Sequence, residues 1–446
     1  MRKRSMHLVG YLIAGPTWHH NSAWKLPGND AVEALSAKRY VRLAKLMEAA
    51  CFDGVFFVDL VAIMEFQGGN YDAIVQNGGH MFLLEPMQLL AAIAQETKHI
   101  GLAATMSTTF YHPFHIARAF ATLDHISKGR AAWNIVTSIL HAEAQNFGMD
   151  RLPAPNERYD FADEVIEACR RLWDTWDPDA MVLDPVRGIY ADPARVHRAD
   201  FVGRWIKTRG PLPTPHSPQG YPVLMQAGAS DRGREFAARW AEVVFTLQYS
   251  KSDMLAYTDD IKSRMSRYNR RPEECAILPS IDVVIGETES IARERADYLD
   301  RMVNVSYGIV EIGNATGNDL SSLPLDTPVE TIKFKEGASG MLDVILQAGG
   351  PSATLLGAAR RYGNTRMTPQ IVGTAAMIAD YMQDVFEAGS CDGFVICPAM
   401  TPSMYIEFCR TVVPELQRRG IFRTTYEGRT FRENLRGINS DKGGAS

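Results

Sequence analysis

The hydrophobic positions of this chain form two kinds of pattern that alternate along its length. Short, continuous apolar runs predict eight strands, at 6–13, 54–60, 100–107, 131–138, 223–228, 242–247, 276–285 and 393–397. Between them, apolar residues recur every three or four positions, which predicts amphipathic helices at 37–51, 87–97, 116–126, 159–173 and 232–240. A strand followed by a helix, repeated, is typical of a parallel sheet.

Two folds have parallel strands joined by helices, and glycine motifs help to distinguish them. An open sheet that binds a dinucleotide carries Gly-x-Gly-x-x-Gly after its first strand, and this chain has no such motif there. The Gly-x-x-x-x-Gly-Lys-Ser/Thr loop of nucleotide triphosphatases is also missing. Eight strands are the number found in a TIM barrel. We therefore expect an α/β protein with a (β/α)8 TIM-barrel fold.

Two stretches exceed what a minimal barrel unit needs. Residues 178–221 carry many prolines, and residues 304–365 are rich in Gly, Asn, Ser and Thr. We interpret both as long insertions in strand-to-helix loops of a single domain that spans 1–446. Long loops in a compact domain often cover or line a binding site, although a plain surface excursion is the alternative.

Composition limits the kinds of partner. Of the 446 residues 22% are charged and the net charge is −5, so no broad basic surface is available for nucleic acid. The basic and apolar N-terminus has parts of a secretory signal but fits a first barrel strand equally well, and no other run is apolar enough to span a membrane. The six cysteines form no Cys-x-x-Cys pair, as in reduced cytoplasmic proteins. We expect a cytoplasmic protein with a small-molecule partner, no nucleic acid and no membrane.

Polar side chains follow several predicted strands, and in a TIM barrel the ligand-binding residues lie at these carboxyl ends. Asp59 follows the second strand, Thr105 lies near the end of the third, and Ser138 closes the fourth. Hydroxyl groups at a barrel rim suit a ligand with many carbonyl groups and ring nitrogens, because they donate hydrogen bonds without adding charge. Helix capping is the alternative for the hydroxyls, and loop capping or an ion pair is the alternative for Asp59.

The segment 227–233 follows the fifth predicted strand and opens a helix. Its glycines and Ser230 would expose backbone N–H groups and a hydroxyl to an anion, and the helix dipole favours a phosphate there. Tyr159, with Arg158, begins another helix and offers a second phosphate contact. An ordinary helix cap at Ser230 or Asp231 is the alternative.

Histidines are numerous enough to raise the question of a metal. His112 and His115 have a ligand-like spacing, but no glutamate or further histidine falls at a recognisable offset. We therefore expect no metal site. A Gly-x-Ser-x-Gly elbow is also missing, which disfavours a hydrolase.

Several longer segments resemble one enzyme family. They include 52–59 (FDGVFFVD), 106–118 (MSTTFYHPFHIAR), 121–138 (ATLDHISKGRAAWNIVTS), 157–164 (ERYDFADE) and 413–420 (VPELQRRG). These segments resemble the FMN-dependent monooxygenases of the bacterial luciferase-like superfamily. The resembling branch holds nitrilotriacetate monooxygenase component A and dibenzothiophene-sulfone monooxygenase.

The resemblance implies a two-component enzyme. Such proteins bind FMN loosely, receive it as FMNH2 from a separate NADH-dependent flavin reductase, and use O2 as a co-substrate; many form dimers or tetramers. By matching position, Asp59 and Thr105 would lie beside the flavin ring. Ser138, Tyr159 and Ser230 would contact the ribityl chain or the phosphate.

The substrate is less well defined by the resemblance. Relatives that hydroxylate alkanes carry a tyrosine and a histidine where this chain has Met64 and Ile139, which moves it toward the members that act on small nitrogen or sulfur compounds. Candidate substrate-pocket residues are Trp24, Met64, Phe66, His80, Phe110 and Ile139. His20 and His112 are candidate catalytic residues. A deazaflavin-dependent hydride-transfer enzyme and a non-catalytic flavin-binding protein remain alternatives on the same barrel.

Overall fold

The computed structural model describes residues 4–16, 19–65, 70–79, 81–316, 319–332, 344–345 and 353–436. Its strands are β1 (His7–Ile13), β2 (Gly54–Val58), β3 (Gly101–Ser107), β4 (Ala131–Val136), β5 (Met181–Asp184), β6 (Ile189–Ala191), β7 (Phe201–Val202), β8 (Lys207–Thr208), β9 (Val223–Gln226), β10 (Val243–Thr246), β11 (Ala276–Ile285), β12 (Gln370–Gly373) and β13 (Gly393–Ile396).

The α-helices of the described residues lie mostly between these strands. They are α1 (Ala37–Ala49), α2 (Asp72–Asn77), α3 (Pro86–Glu96), α4 (Pro113–Ser127), α5 (His141–Asn146), α6 (Pro155–Trp173), α7 (Asp231–Trp240), α8 (Lys251–Met265), α9 (Glu289–Met302), α10 (Val305–Thr316), α11 (Leu355–Thr365), α12 (Ala375–Glu387), α13 (Ser403–Arg418) and α14 (Phe431–Arg436). Short 3-10 helices occur at Ala23–Lys25, Ala31–Glu33, Pro193–Arg195, Ser266–Tyr268, Pro272–Glu274 and Val329–Thr331.

Eight of the strands close into a parallel barrel. They pair in the order β1, β2, β3, β4, β9, β10, β11, β13, and β13 then pairs with β1. Each pairing is parallel, with a helix crossing the outside before the next strand, as in a TIM barrel. The predicted (β/α)8 fold is confirmed, and all eight predicted strands overlap an observed barrel strand.

The two predicted insertions have different places in the fold. Residues 304–365 lie between β11 and α12, as expected for a strand-to-helix insertion, and contain α10 and α11. Residues 178–221 instead follow α6 and precede β9, so the prediction of a strand-to-helix loop is wrong for this stretch. Its prolines interrupt helix formation, and the chain forms two antiparallel hairpins, β5–β6 and β7–β8, before it re-enters the barrel.

The barrel interior is filled by alternate residues of its strands. Side chains such as Val9, Phe56, Val243 and Leu278 form one apolar cluster inside it. Phe431 of α14 belongs to the same cluster and closes the amino-terminal end of the barrel. A Cβ atom at Gly101 would lie 2.6 Å from the Phe431 ring, so glycine is required where this ring packs against β3.

Candidate active site at the barrel mouth

The ends of β3 and β4 bring Thr105 and Asn134 together at the carboxyl end of the barrel. The two residues are partners in the strand register and both are buried. Asn134 Nδ2 donates to Thr105 Oγ1 at 2.9 Å, and Thr105 Oγ1 donates to the Phe57 carbonyl at 2.8 Å. Asn134 Oδ1 is buried and has no hydrogen-bond partner. The strand ends therefore present a fixed amide oxygen toward the mouth.

Ser138 lies just beyond β4, where the chain turns sharply. Its φ of 60° is in the left-handed region, which a serine adopts only when its surroundings stabilise the turn. Its Oγ donates to Ser107 Oγ at 2.9 Å. This contact fixes the turn to the end of β3, next to Thr105.

Glu143 holds the loops of two strands together. Its buried carboxylate accepts hydrogen bonds from the backbone N–H groups of Ile139 and Leu140, at 3.3 and 3.2 Å. It also accepts from the Ser138 hydroxyl and from the N–H of Val61, both at 3.4 Å. Because Val61 follows β2 and Ser138 follows β4, one carboxylate sets the spacing of both loops.

Asp59 directly follows β2 and is partly exposed at the mouth. Burial raises the pKa of Asp59 to about 7, and the nearby carboxylates of Glu85 and Glu143 add to that rise. Burial also raises the pKa of Glu85, whose side chain caps α3 by accepting from the Gln88 N–H. The mouth thus carries three acidic groups on this side, and Asp59 changes charge near neutral pH.

Tyr159 and Ser230 meet at the starts of α6 and α7. The Tyr159 hydroxyl lies close to the side chains of Ser230 and of Gln226 at the end of β9, and both lower its pKa against the larger effect of burial. Ser230 caps α7 by accepting from the Gly233 N–H at 3.1 Å. A Cβ atom at Gly233 would lie 2.9 Å from the Tyr159 oxygen, so this close contact requires glycine. Both alternatives considered for Ser230 are compatible with this geometry, since a capping serine still presents its hydroxyl to a ligand.

Polar atoms without protein partners continue around the same part of the mouth. Gln226 Oε1 and Arg158 Nε are buried and unpaired, like Asn134 Oδ1. Arg158 is next to Tyr159 and uses its Nη1 to donate to the Pro153 carbonyl at 2.6 Å. A ligand with ring N–H groups, hydroxyls and a phosphate would satisfy this set. The residues present therefore fit FMN.

The predicted substrate-pocket residues differ in burial and in the contacts that they make. Phe110 stacks on Phe147, with ring centroids 4.7 Å apart, and lines a groove of about 500 Å³ together with Trp205 of the proline-rich insertion. Met64 is partly buried, whereas Ile139 is 74% exposed. Trp24 is fixed by its indole N–H, which donates to the Asn77 carbonyl. Phe66 and His80 lie outside the described residues.

The two candidate catalytic histidines have structural contacts. Both ring nitrogens of buried His20 are used, because Nδ1 accepts from the Ser22 N–H and Nε2 contacts the Leu299 carbonyl at 2.9 Å. His112 is exposed and caps α4, where its Nδ1 accepts from the Phe114 N–H at 3.2 Å. The structure therefore gives His20 no ring nitrogen for substrate, and it leaves His112 with one.

The described ranges contain neither of two other classes of site. Within them, no group of three or more His, Cys, Asp and Glu side chains is placed to hold a metal ion. Every helix in the same residues is too short or too polar to cross a bilayer.

Comparison with known proteins points to one family. The family model described as luciferase-like monooxygenase matches residues 17–390. The chain belongs to this family. The resemblance noted in the sequence is confirmed, and so is the predicted enzyme class, a monooxygenase.

Individual members of the luciferase-like family resemble the chain over nearly its whole length. Dibenzothiophene-sulfone monooxygenase of Rhodococcus erythropolis strain XP is 42% identical, with 97% of each chain covered. Nitrilotriacetate monooxygenase component A of Aminobacter aminovorans is 37% identical, with 93% of each covered. A crystal structure of a riboflavin lyase with modified FMN and riboflavin is 28% identical and superposes with a TM-score of 0.89, covering 98% of this chain and 96% of that one.

Sequence reasoning missed one residue that shapes the barrel mouth of this family member. Glu143 was not singled out, although it lies three residues after Leu140 at the start of a helix, where a glutamate can bind back to free backbone N–H groups. A glutamate at the third position of a short helix after a strand end is a usable signal.

Proposed function

We propose that this protein is the oxygenase component of a two-component system. It binds FMNH2 delivered by a separate NADH-dependent flavin reductase and uses O2 to oxygenate a small organic sulfur or nitrogen compound. The main support for this proposal is a series of buried polar atoms that have no hydrogen-bond partner: Asn134 Oδ1, Gln226 Oε1 and Arg158 Nε. Their chemistry matches the ring, the ribityl chain and the phosphate of FMN, in that order.

The flavin side of the mouth consists of Asp59, Thr105, Ser138, Tyr159 and Ser230. In the proposal, Ser230 and Tyr159 donate hydrogen bonds to the phosphate at the start of α7, where the helix dipole favours negative charge. Burial raises the pKa of Tyr159, which keeps its hydroxyl protonated as a donor. Thr105 and Asp59 lie beside the ring.

When held at this site, FMNH2 would supply the two electrons with which O2 is reduced, so that one oxygen atom would enter the substrate and the other would leave as water. The chain itself positions the two reactants and excludes bulk water. Asp59, which loses its proton near pH 7, is the group that changes the charge beside the flavin ring. The stacked rings of Phe110 and Phe147 cover one edge of the mouth.

Support for a sulfur or nitrogen substrate comes from the pocket and from the relatives. Met64 and Ile139 add no polar group, unlike the tyrosine and histidine expected for alkane hydroxylation. The two relatives described above act on a sulfone and on an aminopolycarboxylate. Association of the chain into dimers or tetramers is part of the proposal and is measured by sedimentation.

The test is anaerobic titration with FMNH2 followed by rapid mixing with O2. We expect the bound flavin to be reoxidised more slowly than free FMNH2, and a substrate to incorporate one atom of isotopically labelled O2. Tight binding of a deazaflavin without oxygen consumption would favour the hydride-transfer alternative. Retention of FMN with no substrate-dependent oxygen use would favour the non-catalytic one.

A further inference from the structure

A second group of polar residues lies across the mouth from the flavin side. This insertion wall consists of Tyr11 on β1, His19 and Asn21 on the loop after it, Glu311 on α10, and Arg366 at the end of α11. Arg366 Nη1 bonds Glu311 Oε1 at 2.8 Å, and Asn21 Nδ2 donates to Glu311 Oε2 at 3.3 Å. These contacts fix the insertion 304–365 against the loop after β1.

The insertion wall faces the interior of the barrel mouth. Tyr11 points into the barrel, where its ring meets Phe56 edge-on at 5.8 Å, and Phe56 stacks on Phe245 at 4.6 Å. The Tyr11 side chain is nevertheless partly exposed. An inward-pointing residue that still contacts solvent marks an open space, so a cavity lies above the Phe56–Phe245 pair.

His19 borders this cavity and is chemically distinct from His20. Its ring lies 4.6 Å from the Tyr11 ring, and only 5% of the residue is exposed. Its Nδ1 is buried and has no hydrogen-bond partner. Burial, with a smaller contribution from Arg366, lowers the pKa of His19 to about 3, so the imidazole is neutral at physiological pH. A neutral ring nitrogen in such a place is suited to a polar atom of a ligand.

The charges of the wall restrict the ligand further. The positive charge of Arg366 is balanced by Glu311, and His19 contributes none. Asp59, at the end of the neighbouring strand β2, is acidic, and Glu85 and Glu143 add acidic groups close to it. A substrate with several carboxylates would meet acids on one side and an already neutralised cation on the other, and burying an uncompensated charge is unfavourable.

We propose that His19 is a specificity-determining residue whose Nδ1 hydrogen-bonds the substrate, and that the pocket accepts an uncharged compound such as a sulfone rather than a polycarboxylate. This inference rests on the proposed function, because it presumes that the substrate binds opposite the flavin side. It narrows the two substrate classes of that proposal to one.

Equilibrium binding tests the inference without turnover. Dibenzothiophene sulfone and nitrilotriacetate are titrated calorimetrically into the protein loaded with oxidised FMN. We expect the sulfone to bind and nitrilotriacetate to give no signal at the same concentrations. His19→Phe, which keeps a ring but removes the hydrogen bond, should weaken sulfone binding about tenfold, and His19→Gln should restore most of it. His99→Phe, at an exposed ring stacked on Tyr426, is the matched control and should change nothing.

Three results would overturn the inference: no binding of the sulfone, tighter binding of nitrilotriacetate, or an unchanged sulfone affinity in His19→Phe. The affinity for FMN is measured first, in each variant. If the unmodified protein does not bind FMN, this result contradicts the proposed function itself. Dibenzothiophene sulfone and nitrilotriacetate are therefore also titrated into the protein without FMN. The preference for the uncharged or the charged compound and the effect of His19 are then measured whether or not FMN binds.

Discussion

The two sides of the barrel mouth are assembled in different ways. On the flavin side, Thr105 and Asn134 are register partners on adjacent strands, and Ser138 contacts Ser107 at the end of β3. On the insertion wall, Asn21 and Glu311 are hydrogen-bonded although 290 residues separate them. Strand ends therefore fix the groups proposed to bind the cofactor, whereas the groups proposed to bind the substrate depend on how an insertion packs. The residues of the flavin side can stay constant while those of the insertion wall change.

The largest expected effect concerns the phosphate end of the flavin side. Ser230→Ala removes a hydroxyl proposed to bind a charged phosphate, and we expect the dissociation constant for FMN to rise about 30-fold in a fluorescence titration. Ser250→Ala is the matched control, because Ser250 caps α8 by accepting from the Asp253 N–H at 3.0 Å. Each variant loses a helix cap worth about 1 kcal/mol. Equal loss of FMN affinity in the two would show that Ser230 acts only as a cap.

The next effect concerns the pH dependence of stability. Because the folded pKa of Asp59 is raised to about 7, its contribution to stability is complete below pH 4 and is lost as the pH rises through 7. We expect Asp59→Asn to remove this loss. The unfolding free energy of the variant minus that of the parent, both without FMN, should therefore increase by about 2 kcal/mol between pH 5 and 8.

Chemical denaturation at several pH values measures this difference. Asp259→Asn, at an exposed position on α8, is the control and should follow the parent. A constant difference between Asp59→Asn and the parent over this range would mean that Asp59 keeps an ordinary pKa.

A smaller effect is expected at Glu143, which connects the loops of the flavin side. Glu143→Gln replaces a charged acceptor of backbone N–H groups, so the unfolding free energy should fall by about 1–2 kcal/mol and the FMN affinity about fivefold. Glu164 offers a close match: it accepts the N–H groups of Arg204, Trp205 and Ile206 at 3.0, 2.9 and 2.7 Å, on the proline-rich insertion. Glu164→Gln should lose similar stability and keep its FMN affinity. If both variants bind FMN equally well, Glu143 does not position the site.

The smallest effect is expected at His112. Its ring is exposed and caps α4, so His112→Ala should change the rate of reoxidation of bound FMNH2 less than twofold and destabilise the protein by about 0.5 kcal/mol. His112→Asn, which can still cap the helix, should recover the stability. A tenfold slower or faster reoxidation in both variants would restore His112 as a catalytic candidate.

The barrel strands were predictable because each is a short apolar run between helices. The strand β12 was missed, since its four residues only extend the edge of β11 outside the closed barrel. Helices α10 and α11 were hidden by their glycines, which lower helix propensity. A Cβ atom at Gly308 would lie 2.5 Å from the Ala359 carbonyl oxygen, and one at Gly363 would lie 2.6 Å from Asn21 Nδ2. Close packing therefore explains these glycines.

The residues of the candidate site differ in the same way: some can be placed from local sequence and others cannot. Asp59 and Ser138 follow strands and Thr105 lies near the end of one, so their position at the mouth could be inferred from local sequence. His19 and Arg366 come from loops whose neighbours are set by the packing of distant elements, and Arg366 itself has a left-handed backbone that ends α11. No local pattern encodes such contacts. Local sequence therefore places residues at the strand ends of the mouth better than it places those of the insertion wall.

The last described helix, α14, can close the amino-terminal end of the barrel only late in the synthesis of the chain. Phe431 fills the space left by Gly54 and Gly101 at the base of the barrel. Arg432 beside it binds Glu242, whose pKa falls to about 2 because the charges of Arg432 and Arg436 outweigh its burial. Residue 431 must therefore have left the ribosome before Phe431 can close this end of the barrel. Until then, the apolar residues that Phe431 contacts inside the barrel lack this cover.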